Sequence, residues 1–188
     1  MTYIQKVEKK LAKMHYKKYC VLTGRASTAL WLTYMCCNKE KNQVIVPSLM
    51  CLSPIFVLNC AGKKPLFSDV KIADATINPQ HVDRLLKKNK NVSAVLAVHL
   101  YGFPCDLDSL QKICLKNNVM LIEDVAQAMG GRDKNNYILG SKGDVSILSF
   151  GHTKILDLDE GGALLTNNEK IYNNSIKLRS KIKNKDDE

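Results

Sequence analysis

Hydrophobic positions divide the chain into two alternating kinds of segment. At the start, Ile4, Val7, Leu11 and Met14 fall on one stripe at 3/4 spacing with lysines on the other face, which predicts an amphipathic surface helix. Short apolar runs follow: Tyr19 to Leu22, Val44 to Val46, Pro65 to Phe67, Ala94 to Val98, Val119 to Ile122, Val145 to Leu148 and Ala163 to Leu165. Helical segments lie between them. Thr28 to Met35 follows Gly24-Arg25-Ala26-Ser27, with Ser27 expected as the N-cap. Asn78 caps a helix that has Pro79 at its first position and turns Val82, Leu85 and Leu86 inward. Another helix runs over Asp108 to Lys116, with Leu110, Ile113 and Cys114 on its apolar side.

Runs that are apolar throughout, rather than alternating, fit strands covered on both faces. Their alternation with helices predicts an α/β fold with a mostly parallel central sheet flanked by helices. In such sheets ligands bind at the carboxyl ends of strands. That rule singles out Gly24 to Ser27, Pro47 to Cys51, His99 to Gly102, Glu123 to Gln127 and Ser149 to Lys154.

Composition narrows the class. The 188 residues are 45% hydrophobic and 24% charged, ordinary for one folded domain. No apolar stretch approaches the roughly 20 residues of a membrane span, and the amino-terminal segment lacks a signal-like apolar run, so the expected setting is cytoplasmic without a membrane partner. Seven scattered cysteines without a C-x-x-C pair predict buried free thiols in a reducing compartment and no metal site. The net charge of +10 comes from lysines and arginines concentrated at the two ends, for example Lys9, Lys10, Lys13, Lys17 and Lys18, then Lys177, Arg179 and Lys181. They read as solvated faces, because no aromatic interleaving or reading helix points to nucleic acid. Neither G-x-G-x-x-G nor G-x-x-x-x-G-K-[ST] is present, so the two commonest nucleotide-binding signatures are missing.

The stretches GRASTALWL, VIVPSLMC, AVHLYGFPCDLDSL, LIEDVAQAMGG, GDVSILSFGHTKIL and EGGALLTNNEK, taken in order, resemble the large domain of the DegT/StrS family of pyridoxal-phosphate (PLP) sugar aminotransferases, a branch of the fold type I PLP enzymes. The resemblance implies PLP as cofactor. It makes Lys154 the catalytic amine that forms a Schiff base with the aldehyde. Some relatives carry histidine there and act as sugar dehydratases, so a lysine favours transamination. Asp124 matches the carboxylate that keeps the ring nitrogen protonated, and Gln127 the side chain near the ring hydroxyl. Ala26 and Ser27 fall where the family has Gly-Thr at the phosphate arm, followed by Thr28, and Ser149 adds a hydroxyl. Cys51 falls at the position against the ring face. His99 and Tyr101 are expected to support the fold. His152 is read as structural before functional, and Asp157, Asp159 and Glu160 as a solvated acidic loop.

Residues 1–18 are expected to form the basic amphipathic helix, 19–180 the PLP-binding large domain and 181–188 a polar tail. The family's small carboxy-terminal domain is absent from these residues. The implied reaction moves an amino group from glutamate or glutamine onto a keto-sugar nucleotide, in sugar or cell-surface polysaccharide biosynthesis, within a homodimer. The alternative is a truncated or degenerate PLP-fold protein without turnover that acts as an interaction subunit. A binder of nucleic acid or anionic surfaces through the basic termini ranks last.

Overall fold

A computed structural model of the chain describes residues 1–182. Most of the predicted 181–188 tail lies outside them. Seven strands form one sheet: β1 (Tyr19–Thr23), β2 (Gln43–Pro47), β3 (Lys64–Ser68), β4 (Val92–Val98), β5 (Met120–Asp124), β6 (Val145–Ser149) and β7 (Gly162–Thr166). Six helices accompany them: α1 (Tyr3–Met14), α2 (Ala26–Cys36), α3 (Ser53–Cys60), α4 (Pro79–Lys88), α5 (Leu107–Asn117) and α6 (Glu169–Arg179). The strand order is β1-β7-β6-β5-β4-β2-β3. All pairings are parallel except those of β7, which runs antiparallel to both β1 and β6. The sheet is therefore mostly parallel, as the apolar runs predict.

Successive residues of a strand face opposite sides of the sheet. Ala94, Leu96 and Val98 of β4 join Leu30, Leu32 and Tyr34 of α2, Leu58 of α3 and Ile171 of α6 in one core. Val95 and Ala97 join Val82 and Leu86 of α4 and Leu110 of α5 in the other. A third cluster seats Leu11 and Ala12 of α1 on Cys20, Leu148 and Leu165. The sheet is thus buried on both faces, which is why its strands carry no alternation.

Several local expectations fail for identifiable reasons. Ser27 is not the N-cap of α2. Arg25 holds that place with no side-chain cap bond, and Ser27 lies inside the first turn. The early start follows from a bridge between Arg25 and Gly161, which keeps the chain extended to Arg25 and turns it into helix at once. α3 escaped the sequence reading because SPIFVLNC is nearly uniformly apolar and carries no stripe. α6 escaped because its inward positions include Ser175, a residue that reads as polar. β5 continues two residues past its apolar run, into Glu123 and Asp124, because both carboxylates are buried with partners.

Nor are all basic residues solvated. Lys17 is buried and donates to Gly143 O, and Arg179 ties α6 to α1 and β1 through Glu8 (3.1 Å) and the Leu22 carbonyl (2.9 Å). On α1, Leu11 is buried but Ile4, Val7 and Met14 are exposed. The cysteines are all free, yet Cys51 and Cys60 are exposed rather than buried.

Candidate active site

The carboxyl ends of β4, β5 and β6, the amino end of α2 and the start of β7 enclose a cavity of about 350 Å³. Ala26, Ser27, Cys51, Asp124, Gln127, Ser149 and Lys154 all line it, together with His152. His99 and Tyr101 do not. Because β7 is antiparallel, its amino end faces the cavity, where the strand-end rule alone would not look. A larger and more open concavity of about 1480 Å³ lies at the other end of the sheet, beside Asn118, Gly143 and Asn167. Of the cations that line it, Lys142 is paired with Asp108 (2.6 Å) and Asp133 (2.8 Å).

Asp124 is only 6% exposed. Burial pushes its pKa above the ordinary carboxylate value, against the hydrogen bond from Ala126 N (2.9 Å to Oδ1) and the nearby charge of Lys154. Ala126 N is its single hydrogen-bond donor among the described residues, so the carboxylate fits a cationic or N–H partner entering the cavity.

Behind it, Glu123 points away from the cavity and is fully buried. Its Oε1 accepts from His99 Nε2 (3.1 Å) and Gly140 N (2.5 Å), and its Oε2 from Lys142 N (3.1 Å) and Gly143 N (2.8 Å). His99 Nδ1 accepts from Cys105 N (3.0 Å), which sets the tautomer with hydrogen on Nε2. Burial alone would raise the Glu123 pKa, but these donors outweigh it and hold the group below its ordinary value. Alternating sides of one strand therefore carry a structural acid and a site acid. His99 has the supporting role expected of it.

Lys154 sits in a loop built by Asp157. The Asp157 carboxylate accepts from Thr153 N (3.1 Å) and Asp159 N (2.9 Å) and lies 3.1 Å from His152 Nδ1. These backbone bonds hold its pKa below the usual range, and they fix Thr153 at φ 70°, an unusual conformation for a β-branched residue. Asp157, Asp159 and Glu160 are exposed, as a solvated acidic loop requires, and Asp157 in addition shapes the turn that presents Lys154. Gln127 is similarly committed at one end. Its Oε1 accepts from Tyr101 N (2.9 Å), which turns its amide N–H₂ outward as a donor.

At the other end of the cavity, Ser27 Oγ lies 3.0 Å from Ser53 Oγ, and Arg25 Nη2 lies 2.5 Å from Glu160 Oε1. Sequence reasoning missed Arg25, Ser53 and Glu160. The one available signal was the Glu160-Gly161-Gly162 triplet. A Cβ on Gly162 would stand 2.6 Å from both Ala26 Cα and Arg25 C, backbone atoms that cannot step aside. Gly162→Ala is therefore expected to displace the amino end of α2 and to destabilise the fold by about 1–3 kcal/mol, as overpacking does. Thermal unfolding beside wild type checks this, and an unchanged midpoint would refute the contact.

The donor set fits PLP: a buried acid for a protonated ring nitrogen, a lysine, and an uncapped helix start with serine hydroxyls for a phosphate. No group of three or more metal-ligating side chains occurs among the described residues. No helix there is long and apolar enough to cross a membrane.

The fold is that of PLP-dependent aminotransferases of known structure. The sequence profile of the DegT/DnrJ/EryC1/StrS aminotransferase family matches residues 2–188, and the chain belongs to that family, which is PLP-dependent. It is 30% identical over 178 residues to GDP-perosamine synthase of Escherichia coli O157:H7, covering 94% of this chain and 48% of that protein. It is 32% identical over 168 residues to a UDP-4-amino-4,6-dideoxy-N-acetyl-beta-L-altrosamine transaminase of Campylobacter jejuni, covering 89% and 44%. Among solved structures, DesI in the presence of its TDP-sugar product superposes with a TM-score of 0.85 at 28% identity, covering 94% of this chain and 44% of that one. The chain thus spans about half the length of the curated relatives it matches.

Proposed function

We propose that this chain is the cofactor-binding part of a PLP-dependent aminotransferase that moves an amino group from glutamate or glutamine onto a keto-sugar nucleotide. The observation that carries the reading is the meeting of Lys154 and Asp124 in one cavity, from the ends of two neighbouring strands. When bound, PLP would carry the amino group between donor and acceptor and draw electrons out of the bond that breaks. Lys154 Nζ would hold the cofactor and, when released, take and return the proton that moves during transfer. Asp124, whose carboxylate burial disfavours when alone, regains its charge beside the ring N–H and holds that proton in place. Gln127 would offer its amide N–H₂ to the ring hydroxyl, Cys51 would face the ring, and Ala26 N–H with the Ser27 and Ser149 hydroxyls would hold the phosphate arm.

In this reading residues 19–180 are the PLP-binding large domain, with α1 (Tyr3–Met14) of the segment 1–18 packed on its sheet. Exposed Leu52, Phe56, Tyr101, Phe103, Ile155 and Leu158 stand on the loops and helix flanking the cavity, which supports a homodimer closing over it. A reducing, cytoplasmic setting accords with seven free thiols.

The test is chemical. Purified protein is incubated with PLP, desalted, reduced with borohydride and digested. A pyridoxyl adduct on the peptide containing Lys154 is expected. Protein that emerges colourless and unmodified would sink the reading and favour an interaction subunit without turnover.

A further inference from the structure

Arg25 is a cation at the cavity mouth with no part in the chemistry above. It caps α2, and its guanidinium is held by Glu160 at 2.5 Å, with both side chains lining the cavity that Lys154 and Asp124 share. An arginine offers no acceptor, so the first-turn amides of α2 receive no side-chain cap. Those amides, the dipole of an eleven-residue helix and the Ser27–Ser53 hydroxyl pair make this end of the cavity electropositive. The far end carries Asp124, nine-tenths buried and with one backbone donor. The α2 end of the cavity therefore suits an anion, and Asp124 suits a protonated group.

Glu160 is the anomaly in this arrangement, because a carboxylate beside a helix amino end opposes any second anion. The Arg25 guanidinium offsets it, and its planar fork has further N–H groups beyond the one on Glu160. We propose that Arg25 is this chain's own cationic ligand for the phosphate monoester of the cofactor, and that Glu160 competes with that phosphate for the guanidinium. The proposal rests on the PLP reading above. The same guanidinium would also suit the carboxylate of an amino donor, but its place at the N-cap of the phosphate-facing helix favours the cofactor.

The experiment titrates the cofactor-stripped chain with PLP and with pyridoxal, which lacks the phosphate, following the visible absorption. Both side chains are more than half exposed, so the effect is moderate. Arg25→Ala is expected to weaken PLP about five- to tenfold and leave pyridoxal unchanged, with Arg25→Lys in between. Glu160→Gln is expected to tighten PLP by about two- to fivefold. A merely structural bridge predicts instead that Arg25→Ala and Glu160→Gln weaken PLP alike, and that result overturns the proposal. So does equal loss of PLP and pyridoxal in Arg25→Ala, or unchanged PLP affinity with a raised KM for the amino donor. Wild type that takes up neither ligand overturns the PLP reading itself. Wild type that binds both while Arg25→Ala binds PLP equally well overturns the role of Arg25 alone.

Discussion

Lys154→Ala is expected to reduce transamination by on the order of 10³-fold or more, the loss that follows removal of a positioned proton-transfer group. The same change removes the amine that holds the cofactor covalently, so the protein should lose bound PLP on desalting where wild type keeps it. Neither loss should come with unfolding. Lys154 sits in a loop shaped by Asp157 and by the Gly151 carbonyl, which accepts from its backbone N–H (3.1 Å), and the side chain takes no part in those bonds. Asp124→Asn separates the two functions of the site. It should keep the covalent attachment to Lys154 and still lose turnover, because asparagine cannot hold a proton on the ring nitrogen. Measured turnover beside borohydride-fixed cofactor distinguishes the cases. A Lys154→Ala protein with near-normal turnover would refute the assignment.

Glu123→Ala is expected to destabilise the fold by about 3–5 kcal/mol, the scale that follows when several donors lose one buried charged acceptor. For a chain of 188 residues that is a fall of roughly 6–20 °C in unfolding midpoint. Four buried donors, from His99, Gly140, Lys142 and Gly143, would lose their acceptor together. Glu123→Gln is expected to fare little better, since its amide nitrogen would face two of those donors with a third donor group. The pH dependence has a definite sign. The folded pKa of Glu123 lies below the ordinary value of 4.5, so its contribution is complete above that pH and is lost as the pH falls through the folded value. Acid unfolding should accordingly flatten in Glu123→Gln. Calorimetry between neutral and acidic pH measures both effects, and an acid limb with wild-type slope in the variant would exclude Glu123 as its source.

The strands were the most legible part of the chain. A segment covered on both faces has no polar side to hide, and the apolar runs around Ile45, Leu96, Ile147 and Leu164 announce themselves without any pairing information. The Asn78-Pro79 helix start was equally readable, because a cap bond spans two or three residues and its Asn78 Oδ1 accepts from Gln80 N and His81 N as local chemistry dictates. Asp124 and Lys154 stood out because both follow apolar runs, where a parallel sheet presents its ligand end, and because both match the family's motifs.

Other features depend on partners far along the chain. Glu123 reads as one more surface acid until Gly140 and Gly143 are folded against it. The start of α2 is set by Gly162, more than a hundred residues away, whose missing Cβ lets β7 touch Ala26. Arg25 and Glu160 are each ordinary surface charges until that contact brings them together. By itself the sequence determined the α/β class, because covered strands and local caps are short-range signals, and its ordered motifs carried the resemblance to the family and the candidate site residues. Only the tertiary structure decided that β7 runs antiparallel and closes the cavity with its amino end, that Glu123 is a structural acid while its neighbour Asp124 lines the cavity, and that Arg25 meets Glu160 at the amino end of α2. Those outcomes rest on backbone contacts and buried hydrogen bonds between distant segments, which no local pattern of side chains encodes.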